Sequence, residues 1–359
     1  MSGEPTAYDA STIKILEGPD IVRKRPGMYI GSTGERGLHH LVHELAEPAL
    51  EENLDGHARR VEITLTPEGS VRVADDGRGI PVEQDGRPTT LEARLTQLWY
   101  GGRPFDRQSL SVGHFWVGPA IVNALSIRLT AEVRRDGFHW VQEYERGIAL
   151  APPVRTGPTD RTGTTITFRP DPEIFETLDF SFAMLADRFR ELAFLNRRLD
   201  ITLTDERDPA APASRHFRFP GGLADHLAHP DLIAFERECP EMQGTVEVAL
   251  HWSDSPDERV TGYANSRPTP GGGTHELGLR DGLAAALPGY SPDRACPGLT
   301  AIVSVKLDEP VFEGSIRDRL GNGPVRACVA RAVEEHLTAW LDADPDRAAA
   351  VLARIAGAR

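Results

Sequence analysis

A short β pattern from Val71 to Ala74 runs without a break into Asp75-Asp76-Gly77-Arg78-Gly79-Ile80-Pro81, and no other stretch constrains the fold as much. Two carboxylates at a strand end, followed by two glycines, bring acidic side chains and bare backbone together in a tight turn. That is the composition of a site. Another β pattern precedes it at residues 61–66. Before that, residues 37–53 repeat Leu38, Leu41, Val42, Leu45 and Ala49 at helical spacing. The opposite helix face carries Glu44, Pro48 and Glu51, about one turn apart. A helix, two strands and an acidic glycine turn imply a helix layer on a sheet.

The rest of the chain extends the pattern. Residues 101–118 are loop-like and carry glycines, residues 119–125 resume helical spacing, and residues 162–168 alternate as a strand. The Pro/Ala-rich stretch 208–214 reads as a loop or linker. Beyond it come strand patterns at 245–252 and 300–307. A long helix at 324–341 follows, with Val325, Cys328, Val329, Ala332, Val333 and Leu337 on one side. Two units are expected, 1–210 and 215–359, with no internal repeat. The formal charge of −14 disfavours a protein that grips the DNA backbone, which needs a basic face. Cys239, Cys296 and Cys328 are far apart and lack zinc-site spacing, so a reducing cytoplasm and no structural metal are expected. The N-terminus has no signal-peptide pattern, and no apolar run approaches the ~18 residues of a membrane helix.

Several ordered motifs resemble the N-terminal ATPase region of DNA gyrase B and of its counterpart in topoisomerase IV. They are Tyr8-Asp9-Ala10-Ser11, Val22-Arg23-Lys24-Arg25-Pro26-Gly27-Met28-Tyr29-Ile30-Gly31, Gly37-Leu38-His39-His40, the stretch 75–81, Thr162-Gly163-Thr164 and Gly272-Gly273-Thr274-His275. The resemblance covers nearly the whole chain. It implies an α+β protein: a Bergerat (GHKL) α/β sandwich with an N-terminal arm, then a transducer domain of ribosomal-protein-S5-like fold and a C-terminal helix. The DNA- and metal-binding toprim domain of those proteins has no counterpart here.

Carried over residue by residue, the resemblance makes Glu44 the general base. The magnesium-binding asparagine one turn later is replaced by Pro48. Proline offers no side-chain oxygen, and inside a helix it removes the bond to the Glu44 carbonyl at ~3 kcal/mol or more. Glu44 is therefore expected to be displaced; the alternative is that Asn53 or Glu47 rescues the metal from elsewhere. The family's phosphate-cradling lid GGLHGVG corresponds to Val112-Gly113-His114-Phe115-Trp116-Val117-Gly118, followed by Pro119; Val112 and Trp116 replace two glycines. The transducer's QTKDKL reads Ser315-Ile316-Arg317-Asp318-Arg319-Leu320. The adenine end looks intact: Asp75, Gly77, Arg78, Gly79, Ile80, Pro81 and Thr164 match the family's base-recognition residues. An arginine that contacts aminocoumarin drugs in gyrase falls near Val141.

This one-sided overwriting implies lost ATP hydrolysis, with no metal or cofactor. Two roles for the vacated pocket follow. One is metal-free acid/base chemistry on a bulky natural-product-like molecule, a dehydration, isomerisation or cyclisation. Its catalytic residues are drawn from Glu44, Asp75, His114 and His43, and its binding residues are Arg78, Gly79, Ile80, Pro81, Phe115, Trp116 and Thr164. The other is a non-catalytic protein that binds a gyrase-directed antibiotic or regulates a true gyrase. Residual ATPase activity is a third reading. The expected partner is a small-molecule ligand, without DNA or membrane, and the arm around Tyr8 leaves a homodimer open.

Overall fold

The computed structural model describes residues 18–82, 90–98, 118–255, 257–287, 289–292, 296–314 and 317–357. The helices are α1 (Pro19–Lys24), α2 (Gly27–Ile30), α3 (Glu35–Leu54), α4 (Thr90–Thr96), α5 (Pro119–Ala124), α6 (Phe182–Leu195), α7 (Leu223–Leu227), α8 (Thr274–Ala286), α9 (Gly323–Ala343) and α10 (Pro345–Gly357). The first sheet contains β1 (Val61–Leu65), β2 (Val71–Asp75), β3 (Ser126–Arg135), β4 (Phe138–Glu145), β5 (Ile148–Ala149), β6 (Val154–Pro158), β7 (Gly163–Pro170), β8 (Ile201–Asp205) and β9 (Ala213–Phe217). Its order is β5-β4-β3-β7-β2-β1-β8-β9, with β6 paired to β4. The second sheet orders β10 (Ile233–Cys239), β11 (Gly244–Trp252), β14 (Leu299–Leu307), β12 (Arg259–Ala264) and β13 (Arg267–Pro268). A small ribbon joins β15 (Phe312–Glu313) to β16 (Arg319–Leu320).

This is the α+β architecture anticipated. Leu38, Leu41, Val42, Leu45 and Ala49 of α3 are buried against the first sheet with Ile63, Val73 and Phe168. The single apolar stripe of an amphipathic helix dictates that placement. Gly37 lies where α3 meets the preceding turn, and a Cβ there would stand 1.8 Å from the Ser32 carbonyl oxygen. In the second unit α8 and α9 cover the second sheet, with Val325, Val329, Ala332, Val333 and Leu337 facing inward as the sequence spacing requires.

Two details differ from the sequence reading. Residues 208–214 link β8 to β9, and both strands pair within the first sheet, so this stretch closes a hairpin. The two sheets instead meet through α6, where Phe194 and Leu195 pack on Ala249, Tyr263 and Ile302. Asn196 at the end of α6 donates to Ser266 Oγ and accepts from Lys306 Nζ, both at 2.9 Å. The second difference is α3 itself, which runs unbroken through Pro48. Twenty residues of helix buried on one face hold its geometry despite one missing backbone bond.

Candidate functional site

α3, the turn after β2, and β7 with α4 enclose a cavity of about 490 Å³. Leu45, Pro48, Ala49, Glu51 and Glu52 come from α3. Val73, Asp75, Arg78, Gly79, Ile80 and Pro81 come from β2 and its turn. Thr164 and Ile166 lie on β7, Thr90, Arg94 and Leu95 on α4, Arg135 ends β3, and Pro119 opens α5. The volume suits a drug-sized ligand.

Burial and hydrogen bonding separate the two carboxylates of the turn. Asp76 faces away, its Oδ1 accepting from the amides of Arg59 and Arg60 at 2.6 and 3.1 Å. Asp75 faces the cavity and accepts from the Gly77 amide at 2.9 Å. Arg78 is braced by Glu52, with Nη2 2.6 Å from Oε1 and Nε 3.2 Å from Oε2. The Ile80 amide donates to Thr164 Oγ1 at 3.2 Å, which ties the turn to β7. Gly79 has φ +75, and a Cβ there would meet the Arg134 carbonyl oxygen at 2.7 Å. Only glycine fits that left-handed, crowded position.

Burial pushes the Asp75 carboxyl up to about 6, reinforced by the nearby charges of Glu52 and Asp76 and opposed by the Gly77 amide. Burial also pushes Glu52 upward, but its hydrogen bonds and charge contact with Arg78 outweigh this and hold it below the ordinary carboxylate range. A raised Asp75 contributes stability that is complete below its unfolded value and is lost as pH rises through about 6. The rise from 3.8 to about 6 is worth about 3 kcal/mol. Asp75→Asn is thus expected to gain melting temperature relative to the parent as pH goes from 4 to 7. A difference flat across that window would show that Asp75 titrates normally.

The acid/base residues expected from the sequence do not converge. Glu44 is 1% exposed, its Oε2 accepts from the Gly118 amide at 3.0 Å, and it does not line the cavity. α3, unbroken through Pro48, holds Glu44 against the start of α5. His40 Nε2 stands 3.1 Å from Glu44 Oε1, at an angle that forms no hydrogen bond. His43 lies outside the cavity, edge-on to Phe189 of α6 at 5.6 Å between ring centroids. Burial and then Arg188 hold it well below 6.5, so it is neutral. Asn53 cannot rescue a metal: Nδ2 donates to the Ala58 carbonyl and Oδ1 accepts from the Asp200 amide, at 2.9 and 3.2 Å. His114, Phe115, Trp116 and the arm around Tyr8 lie outside the described residues.

Sequence reasoning misses Arg94 and Arg135. Val141 lies on β4 away from the cavity, while Arg135 lies in its wall with Nη1 2.8 Å from the Gly79 carbonyl. The pairing of β3 with β7, which puts Arg134 opposite Gly163, fixes that position, and no local motif encodes it. His39 also has a role that its motif does not announce. It ties α3 to α6, with Nδ1 donating to the Glu35 carbonyl and Nε2 accepting from the Ser181 amide, both at 2.7 Å.

Residues 33–174 match the histidine kinase-, DNA gyrase B- and HSP90-like ATPase family, and residues 222–359 match the DNA gyrase B family. DNA gyrase B of Streptomyces coelicolor is 43% identical over 96% of this chain and 57% of its own length. The novobiocin-resistant gyrase B of Streptomyces niveus is also 43% identical, over 95% of this chain and 56% of its own. The chain thus spans somewhat over half the length of these relatives. The 43K ATPase domain of Thermus thermophilus gyrase B, solved in complex with an aminocoumarin, superposes with a TM-score of 0.76 at 32% identity, over 95% of this chain and 94% of that one. The topoisomerase IV ATP-binding domain of Francisella tularensis gives 0.74 at 30% identity, over 96% and 97%. With the acidic glycine turn, the helix above it and both domains matched, this chain belongs to the DNA gyrase B family and carries its GHKL ATPase domain followed by its transducer domain.

Proposed function

We propose that this gyrase B relative does not hydrolyse ATP and that its pocket holds a flat, bulky small molecule without metal. Pro48 carries the reading. It lies in the cavity wall where the family resemblance requires a magnesium-binding asparagine, and a pyrrolidine ring cannot supply an oxygen to a metal that demands six in near-octahedral array. Magnesium-ATP therefore does not fit the metal end. The adenine end keeps Asp75, Arg78, Gly79, Ile80, Pro81 and Thr164 around one cavity, which supports retained binding.

The aminocoumarin in the Thermus complex and the novobiocin-resistant relative favour a natural product directed at gyrase as the bound class, and self-resistance or sequestration as the role. Acid/base chemistry is a second reading, supported by Asp75 at about 6, which places a titrating carboxyl in the pocket near neutral pH. Glu44 and His43 are dropped from it because neither reaches the cavity.

Calorimetric titration tests the proposal. ATP is expected to bind with the same weak affinity in magnesium as in EDTA, while novobiocin raises the melting temperature in both. A tenfold tightening of ATP by magnesium, or no shift with novobiocin, would sink it.

A further inference from the structure

The cavity contains three arginines, and two are already committed. Arg78 is paired with Glu52; Arg135 is bonded to the Gly79 carbonyl and lies 3.3 Å from Asp136. Arg94 is different. It is half-buried on α4, lines the cavity beside Leu95, and among the described residues makes no hydrogen bond or ion pair.

A guanidinium partly withdrawn from water and without a partner among the described residues is costly, and an arriving anion removes that cost. Its planar fork of donors fits a carboxylate in a two-point, charge-assisted contact. The other charges of the wall limit the anion. Glu52 and Arg78 cancel each other, and Asp75 adds negative potential that opposes a polyanion. Arg94, unpaired among the described residues, therefore matches one negative charge. The remaining surface, from Leu45, Ala49, Val73 and Ile166, is apolar and suits a flat hydrocarbon body.

We infer that the pocket's ligand is a small aromatic acid bearing one carboxylate, which the Arg94 guanidinium holds while the ring system lies against Leu45, Ala49 and Val73. This rests on the reading that the pocket binds a small molecule, and it names the class.

The test uses a matched pair of probes, 2-naphthoic acid and 2-naphthamide, titrated into the whole chain at neutral pH. The wild-type protein is expected to prefer the acid by about tenfold or more, the range of a hydrogen bond to a charged group. Arg94→Leu should abolish the preference by weakening the acid alone, and Arg94→Lys should restore part of it. Thermal melting of each variant separates lost recognition from lost folding. Equal binding of acid and amide in the wild type, or a preference that survives Arg94→Leu, overturns the inference while leaving small-molecule binding intact. Binding of neither probe up to its solubility limit also overturns it, and the novobiocin shift then decides separately whether the pocket binds anything.

Discussion

Phosphate release from ATP is expected to stay at the uncatalysed background in magnesium, at least about a thousandfold below an intact gyrase B ATPase fragment. Losing a single charge-stabilising donor costs about 10² to 10³ in rate in a comparable setting, and here the metal position is lost outright. Pro48 removes the ligand, and Glu44 is held by the Gly118 amide and does not line the cavity. Arg317 stands where the family resemblance places a lysine, in a left-handed conformation with φ +52. Pro48→Asn alone is therefore expected to leave turnover at background, although it restores an N–H in mid-helix. It should instead raise the melting temperature, since a helix-interior proline costs up to about 3 kcal/mol and each kcal/mol is roughly 2–4 °C for a domain of this size. Magnesium-dependent turnover that Glu44→Gln abolishes would overturn both the expectation and the proposed function.

How far the sequence can be read depends on whether the information is local. The helix bearing Glu44 and Pro48 is legible because one apolar stripe at 3.6-residue spacing specifies both its existence and its buried face. The turn at 75–81 is legible because Gly79 is demanded by its own backbone angle and its neighbours. The place of Glu44 is not, for a physical reason. The ~3 kcal/mol cost of an internal proline is set against the burial of Leu41, Val42, Leu45 and Ala49, which holds the helix in register and keeps Glu44 where it is. His43 is hidden because helical spacing alone cannot say that Phe189, far along the chain, covers it. Arg94 and Arg135 are invisible for the same reason. An arginine on a short helix or at a strand end reads as solvated until sheet pairing turns it inward.

Gly163→Ala is expected to be the most damaging small substitution near the pocket, destabilising by about 3 kcal/mol or more and lowering the melting temperature by roughly 6–12 °C. Gly163 has φ +131, and a Cβ would lie 2.1 Å from the Asp75 carbonyl oxygen and 3.1 Å from the Asp76 Cα. Neither is a side chain that can swing away. Relief requires the start of β7 to move off the end of β2, where Thr165 pairs with Ala74. That movement would also carry off Thr164, whose hydroxyl holds the Ile80 amide at 3.2 Å. Binding at the adenine end should therefore fall together with stability. Gly157→Ala is the control. It also lies on a strand of the first sheet, but its backbone is not left-handed and an added Cβ meets nothing within 4 Å, so its melting temperature should stay close to the parent's. If Gly163→Ala melted as high as that control, the turn would have room to shift. The tight coupling of Asp75, Thr164 and the glycine turn, on which the pocket's shape depends, would then be wrong.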